Sequence, residues 1–200
     1  MPVTTTRTLP AAILREVQKA VIGKDLVLTK VLLAFLAGGH VLMEDMPGVG
    51  KTTLAMAFSK ALGLNCRRVQ FTPDVLPSDL TGFSVYEKNT GTFVFQPGAL
   101  FCHLLLADEI NRTSSKTQAA LLEAMEEGNV TVEGKTYALP RPHLVIATQN
   151  PLGCVGTQSL PESQLDRFLM RLHMGYPEIQ DEVAILKGHA ARDPLEDVQP

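Results

Sequence analysis

The apolar run Val41-Leu42-Met43-Glu44 passes through Asp45-Met46-Pro47-Gly48-Val49-Gly50 directly into the helix-forming Lys51-Thr52-Thr53-Leu54. Few folds accept a strand, a Gly-rich loop and a helix in that succession. Gly48 and Gly50 let the backbone curl so that consecutive N–H groups face one anion, and the positive end of the following helix dipole adds to the attraction. Such a loop cradles phosphate. Lys51 can then reach β- and γ-phosphates, and the Thr52 hydroxyl stands where a phosphate-bound Mg²⁺ needs an oxygen ligand. The candidate nucleotide-binding set on this loop is Pro47, Gly48, Val49, Gly50, Lys51, Thr52 and Thr53. The strict phosphate-loop pattern has Gly where Asp45 stands, so the match is Gly-Lys-Thr in its strand-to-helix context.

A loop of this kind works at the carboxyl end of a parallel sheet, and the chain supplies further strands with polar ends. Leu104-Leu105-Leu106-Ala107 is continuously apolar, as a strand buried on both faces must be, and it ends in Asp108-Glu109. An acidic pair there is the Walker B arrangement. Asp108 is placed to hold Mg²⁺ through its water shell. Glu109 is expected to face another way, because side chains alternate along extended backbone, and to polarise the attacking water. A helix-capping acidic pair is the plainer reading of Asp108-Glu109 taken alone. Leu144-Val145-Ile146-Ala147-Thr148 is another buried strand, followed by Gln149-Asn150-Pro151. Asn150 can hydrogen-bond the water or the γ-phosphate, or it simply initiates a turn before Pro151.

Helical spacing of apolar residues predicts helices over Leu9–Val21, Lys24–Leu36, Lys51–Leu62 and Ile179–Ala190. Another helix follows the caps Thr113, Ser114 and Ser115, turns Ala119, Leu122 and Met125 inward, and stops at Gly128. Strands are predicted at Cys66–Phe71 and Leu169–Met174, and a short helix at Pro161–Asp166. Two hairpins interrupt this α/β succession. One pairs residues 83–86 with 92–95, the other residues 130–132 with 136–138. The joint Val21-Ile22-Gly23-Lys24 reads equally as an adenine-flanking segment and as a plain interhelix turn. After Asp193 periodicity is lost.

Composition excludes little. The chain has 200 residues, 45% of them hydrophobic, and a formal net charge of −3, enough for one sizeable core and too balanced to point to nucleic acid or a membrane surface. Cys66, Cys102 and Cys154 are odd in number and widely spaced, which disfavours a disulfide framework or structural zinc. With no secretory pattern and no spanning apolar run, the expectation is a soluble cytoplasmic protein.

Four segments together carry a resemblance. Asp45-x-Pro-Gly-x-Gly-Lys-Thr52, Leu106-Ala-Asp-Glu-Ile-Asn-Arg112 with Ala120-Leu-Leu-Glu-Ala-Met-Glu126, Ala147-Thr-Gln-Asn-Pro151 and Leu160-Pro-Glu-Ser-Gln-Leu-Asp-Arg-Phe168 resemble the MoxR family of AAA+ ATPases over roughly residues 21–177. The resemblance implies an α/β P-loop NTPase fold of AAA+ type, with a five-stranded parallel sheet between helices and the sensor strand between the Walker A and Walker B strands. It implies that the family too carries Asp or a similar residue at position 45. It further implies ATP and Mg²⁺ as ligands, Val21, Ile22 and Gly23 beside the adenine, Arg167 as an arginine finger, and assembly into a ring, usually hexameric. The hairpins correspond to the clade's two inserts, which line or cap the ring. The domain reading is a core over 1–177 and the start of a truncated helical lid over 178–200, so no residue of these 200 takes the sensor 2 role.

By the same resemblance the function is that of a chaperone-like ATPase maturing other proteins or inserting metal cofactors, commonly with a von Willebrand A domain partner. A magnesium-chelatase-like ATPase subunit shares the inserts and remains the alternative within the fold. An ATP-gated assembly module with little hydrolysis is the alternative of another class, disfavoured because Glu109, Asn150 and Arg167 are all present. DNA remodelling is disfavoured by the near-neutral charge and by hairpin tips whose only basic residues are Lys88 and Lys135.

Overall fold

A computed structural model describes residues 4–46, 48–150, 160–189 and 193–200. In chain order the elements are α1 (Thr4–Ala20), α2 (Asp25–Leu36), β1 (Val41–Glu44), α3 (Lys51–Ala61), β2 (Cys66–Gln70) and α4 (Pro77–Thr81). The first hairpin, β3 (Gly82–Glu87) and β4 (Thr92–Pro97), precedes β5 (Leu104–Asp108), a 3₁₀ turn (Ile110–Arg112) and α5 (Ser115–Glu127). The second hairpin, β6 (Asn129–Val132) and β7 (Lys135–Ala138), leads to β8 (Leu144–Gln149), α6 (Glu162–Leu165), β9 (Met170–Leu172), α7 (Ile179–His189) and a 3₁₀ turn (Pro194–Asp197).

The main sheet is five-stranded in the order β2-β5-β8-β1-β9, and every pairing in it is parallel. The sensor strand β8 thus lies between the Walker B strand β5 and the Walker A strand β1, as the resemblance implies. The continuous apolar runs are explained by the period of two along a strand. Leu104, Leu106, Leu144, Ile146, Val41 and Met43 pack one face against α1, α2 and α3. Leu105, Ala107, Val145, Ala147 and Leu42 pack the other face against Leu121, Leu122, Ala124 and Met125 of α5 and against Leu80 of α4. Each helix layer needs its own row of side chains, so no position in these strands can be polar until the strand ends.

Several boundaries and faces differ from the sequence expectation. On α5 the N-cap is Ser114, whose hydroxyl accepts from the Thr117 N–H, and the buried residues are Thr117, Gln118, Leu121, Leu122, Ala124 and Met125. Ala119 is exposed, because the inward stripe runs one position away from it. The last core strand begins at Met170, leaving Leu169 exposed with its side chain against Gly39. The segment after Asp193 forms a 3₁₀ turn although its pattern is aperiodic. It docks on the first helix layer: Val198 is buried, Lys60 Nζ donates to the Leu195 carbonyl (2.7 Å), and the Gln199 N–H donates to Glu16 (3.0 Å). Backbone hydrogen bonds and one apolar anchor hold it, and neither leaves a periodic trace. Among the described residues no helix is long and apolar enough to cross a membrane.

Candidate nucleotide site

The loop between β1 and α3 takes the conformation that its glycines allow. Gly48 and Gly50 have φ of +87° and +92°, a region that L side chains rarely enter, and Gly50 caps α3. Lys51 opens the helix and is almost fully buried. Its Nζ donates to the carbonyls of Asp45 (2.9 Å) and Met46 (3.2 Å). Burial lowers its pKa, against the pull of the nearby Asp108, Asp45 and Glu109 charges.

Asp45, the departure from the strict pattern, has a structural reason. Its buried carboxylate accepts from the N–H groups of Met174 (2.6 Å) and Gly175 (3.0 Å), tying the start of the loop to the chain that leaves β9. A glycine there would leave both donors to find other acceptors. Pro47 lies outside the described residues, as do Pro151 and Cys154.

The Walker B pair is held by a hydroxyl that the sequence reading overlooked. Thr148, fully buried at the end of β8, donates to Asp108 Oδ1 (2.6 Å) and accepts from the Glu109 N–H (2.9 Å). Arg68 of β2 pairs with the other oxygen, Asp108 Oδ2, at 2.8 Å. Glu109 does diverge from Asp108, but not by strand alternation. Its φ is +57°, so the chain leaves the strand through a left-handed residue, a conformation that costs a non-glycine about 1 kcal/mol or more. Glu109 Oε2 accepts from Gln70 Nε2 (2.9 Å) and from Arg112 (2.7 Å).

Gly48, Gly50, Lys51, Thr52, Arg68, Gln70, Asp108 and Glu109 line one cavity of about 350 Å³. Another, of about 410 Å³, lies at α6 and β9, lined by Glu162, Leu165, Asp166, Phe168, Leu169 and Arg171. Only the first combines a helix N-terminus, a lysine and two carboxylates, so it is the candidate phosphate site. For a divalent cation, the Thr52 hydroxyl and the Asp108 carboxylate are hard oxygen donors of the type Mg²⁺ takes. No group of three His, Cys, Asp or Glu among the described residues could hold a metal, so phosphate and water would complete the coordination. Arg68 and Gln70 were legible only through register. They are two apart on one strand, and Gln70 pairs with Asp108 across the ladder.

The remaining candidates lie outside this cavity's lining. Asn150 follows β8, and its carbonyl accepts from Asn111 Nδ2 (3.2 Å). Val21 is buried in the first helix layer, and Gly23 (φ +71°) faces α7 so closely that a Cβ would meet the Asp181 carboxylate at 1.9 Å. Arg167, expected as a finger, pairs within this chain with Glu126 of α5 at 2.9 Å, both side chains more than two-fifths exposed.

The family model described as "ATPase family associated with various cellular activities (AAA)" matches residues 40–170. The chain is 51% identical over 185 residues to an uncharacterized protein, YeaC, of Bacillus subtilis strain 168, covering 92% of this chain and 58% of that protein. Chaperone MoxR1 of Mycobacterium tuberculosis is 42% identical over 179 residues, or 90% of this chain and 47% of that one. A crystal structure of a candidate ATPase from Cytophaga hutchinsonii superimposes with a TM-score of 0.84 at 39% identity, over 96% of this chain and 58% of that one. The chain spans about half the length of the curated relatives it matches. With the strand order, the phosphate loop and the acidic strand end agreeing, the chain belongs to the MoxR family of AAA+ ATPases.

Proposed function

We propose that this chain is the ATP-hydrolysing core of a MoxR-type, chaperone-like ATPase that remodels or matures partner proteins. The observation that carries the reading is the meeting of Lys51, Asp108 and Glu109 around one cavity at the amino end of α3. The loop N–H groups receive the phosphates, and Lys51 exchanges the carbonyls of Asp45 and Met46 for phosphate oxygens. Thr52 and Asp108 would hold Mg²⁺, whose contribution when bound is to neutralise charge on the β- and γ-phosphates. Glu109, once released by Gln70 and Arg112, accepts the proton of the attacking water. Asn150 orients that water.

Arg167 stands outside its own chain's cavity, which supports a role on ATP held by a neighbouring subunit in a ring, hexameric by family precedent. Val21, Ile22 and Gly23 flank the adenine in this reading. Residues 1–177 form the core and 178–200 begin the lid. A von Willebrand A domain partner and metal-cofactor insertion are the finer forms of the function. The free thiols of Cys66 and Cys102 support a cytoplasmic setting. The test measures nucleotide binding and phosphate release by the full-length protein. Lys51→Ala should lose binding, whereas Glu109→Gln should bind ATP and turn it over about 10² to 10⁴ times more slowly. Unchanged turnover in Glu109→Gln would remove the base from this scheme.

A further inference from the structure

Asp108 reaches the cavity already occupied. One carboxylate oxygen is taken by Thr148, and the other accepts from the Arg68 guanidinium at 2.8 Å. The Asp108 side chain is 13% exposed and that of Arg68 is 51% exposed, so the cation comes from the solvent side onto a mostly buried carboxylate. The same Arg68 nitrogen also donates to Gln70 Oε1 at 3.2 Å, and the Gln70 amide donates onward to Glu109. One exposed cation therefore sits at the head of a chain that ends on both acidic residues.

We propose that Arg68 is a positioning residue that stands in for the divalent cation at Asp108, so that metal and guanidinium compete for one carboxylate oxygen. The inference rests on the nucleotide reading of this cavity. Its physical basis is charge. A carboxylate buried beside two apolar layers is costly when unpaired, and Arg68 neutralises it. Arg68, a like charge at short range, would give up this oxygen to a dication held by Asp108. Arg68 lines the cavity together with Lys51 and Thr52, so the released guanidinium has phosphate oxygens to turn to. Its loss of Asp108 also removes the hydrogen bond that orients the Gln70 amide toward Glu109.

The experiment measures the affinity of full-length protein for a fluorescent ADP, once in excess EDTA and once in Mn²⁺, for wild type, Arg68→Gln and Arg68→Lys. The informative quantity is the ratio of the two affinities. Without the competing guanidinium, metal should tighten binding more in Arg68→Gln than in wild type, raising the ratio about five-fold, the upper reach of a solvent-facing ion pair. Arg68→Lys keeps a cation within reach of Asp108 and should hold the ratio near the wild-type value. A purely structural role would weaken binding equally in both media and leave the ratio unchanged, and that result overturns the proposal while the nucleotide reading stands. If wild type itself binds ADP in neither medium, the nucleotide reading falls and this inference with it.

Discussion

The two ends of the same five strands are built on opposite rules. At the amino ends, buried and half-buried histidines bond to the backbone of neighbouring core segments. His40 accepts from the Val145 N–H through Nδ1 and, through Nε2, donates to the Met125 carbonyl, both at 3.1 Å. His143 bonds the Cys102 carbonyl (2.9 Å), and burial pushes the Cys102 thiol up to about 11. At the carboxyl ends, Asp108, Glu109 and Glu44 are instead partnered by exposed Arg68, Arg112 and Arg171, each at 2.7–2.8 Å. Partners drawn from solvent can be exchanged for a ligand at little cost, whereas partners drawn from the core cannot. The difference separates a closed end that holds the sheet together from an open end that can do chemistry.

The largest effect that could break this comparison concerns Arg167. If its exposed pairing with Glu126 is as exchangeable as those at the strand ends, the guanidinium is free to serve a neighbouring subunit. Its loss should then lower turnover by about 10³ to 10⁵. Arg167→Ala and Lys51→Ala subunits should each be inactive, and mixing them should restore activity wherever an intact loop meets an intact finger. A mixture that exchanges subunits yet stays inactive would return Arg167 to an ordinary surface ion pair.

The closed end predicts an acid sensitivity. Burial lowers the pKa of His40 from 6.5 to about 4, so the unfolded chain takes up a proton that the folded chain refuses. The stabilisation is complete above the unfolded value and is lost as pH falls from 6.5 towards 4. Between pH 7.5 and 5 it amounts to about 2 kcal/mol. Urea midpoints of wild type and His40→Gln at the two pH values measure it. Parallel losses in the two proteins would assign the acid sensitivity elsewhere.

The smallest effect lies where the two rules meet. Thr148 is core-buried yet serves the open end, so Thr148→Val removes two hydrogen bonds whose partners, Asp108 and Glu109, both line the cavity. Stability should fall by only about 1 kcal/mol, while turnover drops and nucleotide binding through Lys51 persists. Turnover equal to wild type would show that Asp108 and Glu109 need no such clamp.

The sequence by itself determined the parallel α/β core and the phosphate loop, because both follow from local rules. Strands buried on both faces must be continuously apolar, and a cradle for phosphate needs glycine at 48 and 50 with Lys51 at the helix start. The two hairpins were legible for the same reason, since turn residues and alternation are local. The tertiary structure alone decided who partners the chemical groups. Arg68 and Gln70 reach Asp108 and Glu109 only through the β2–β5 register, and Asp45 meets Met174 and Gly175 across about 130 residues of chain. The positive φ of Glu109 and the docking of Val198 likewise depend on neighbours that the packed sheet brings together. Local propensity records what a residue needs for itself, and a hydrogen bond between distant strands leaves no period in either one.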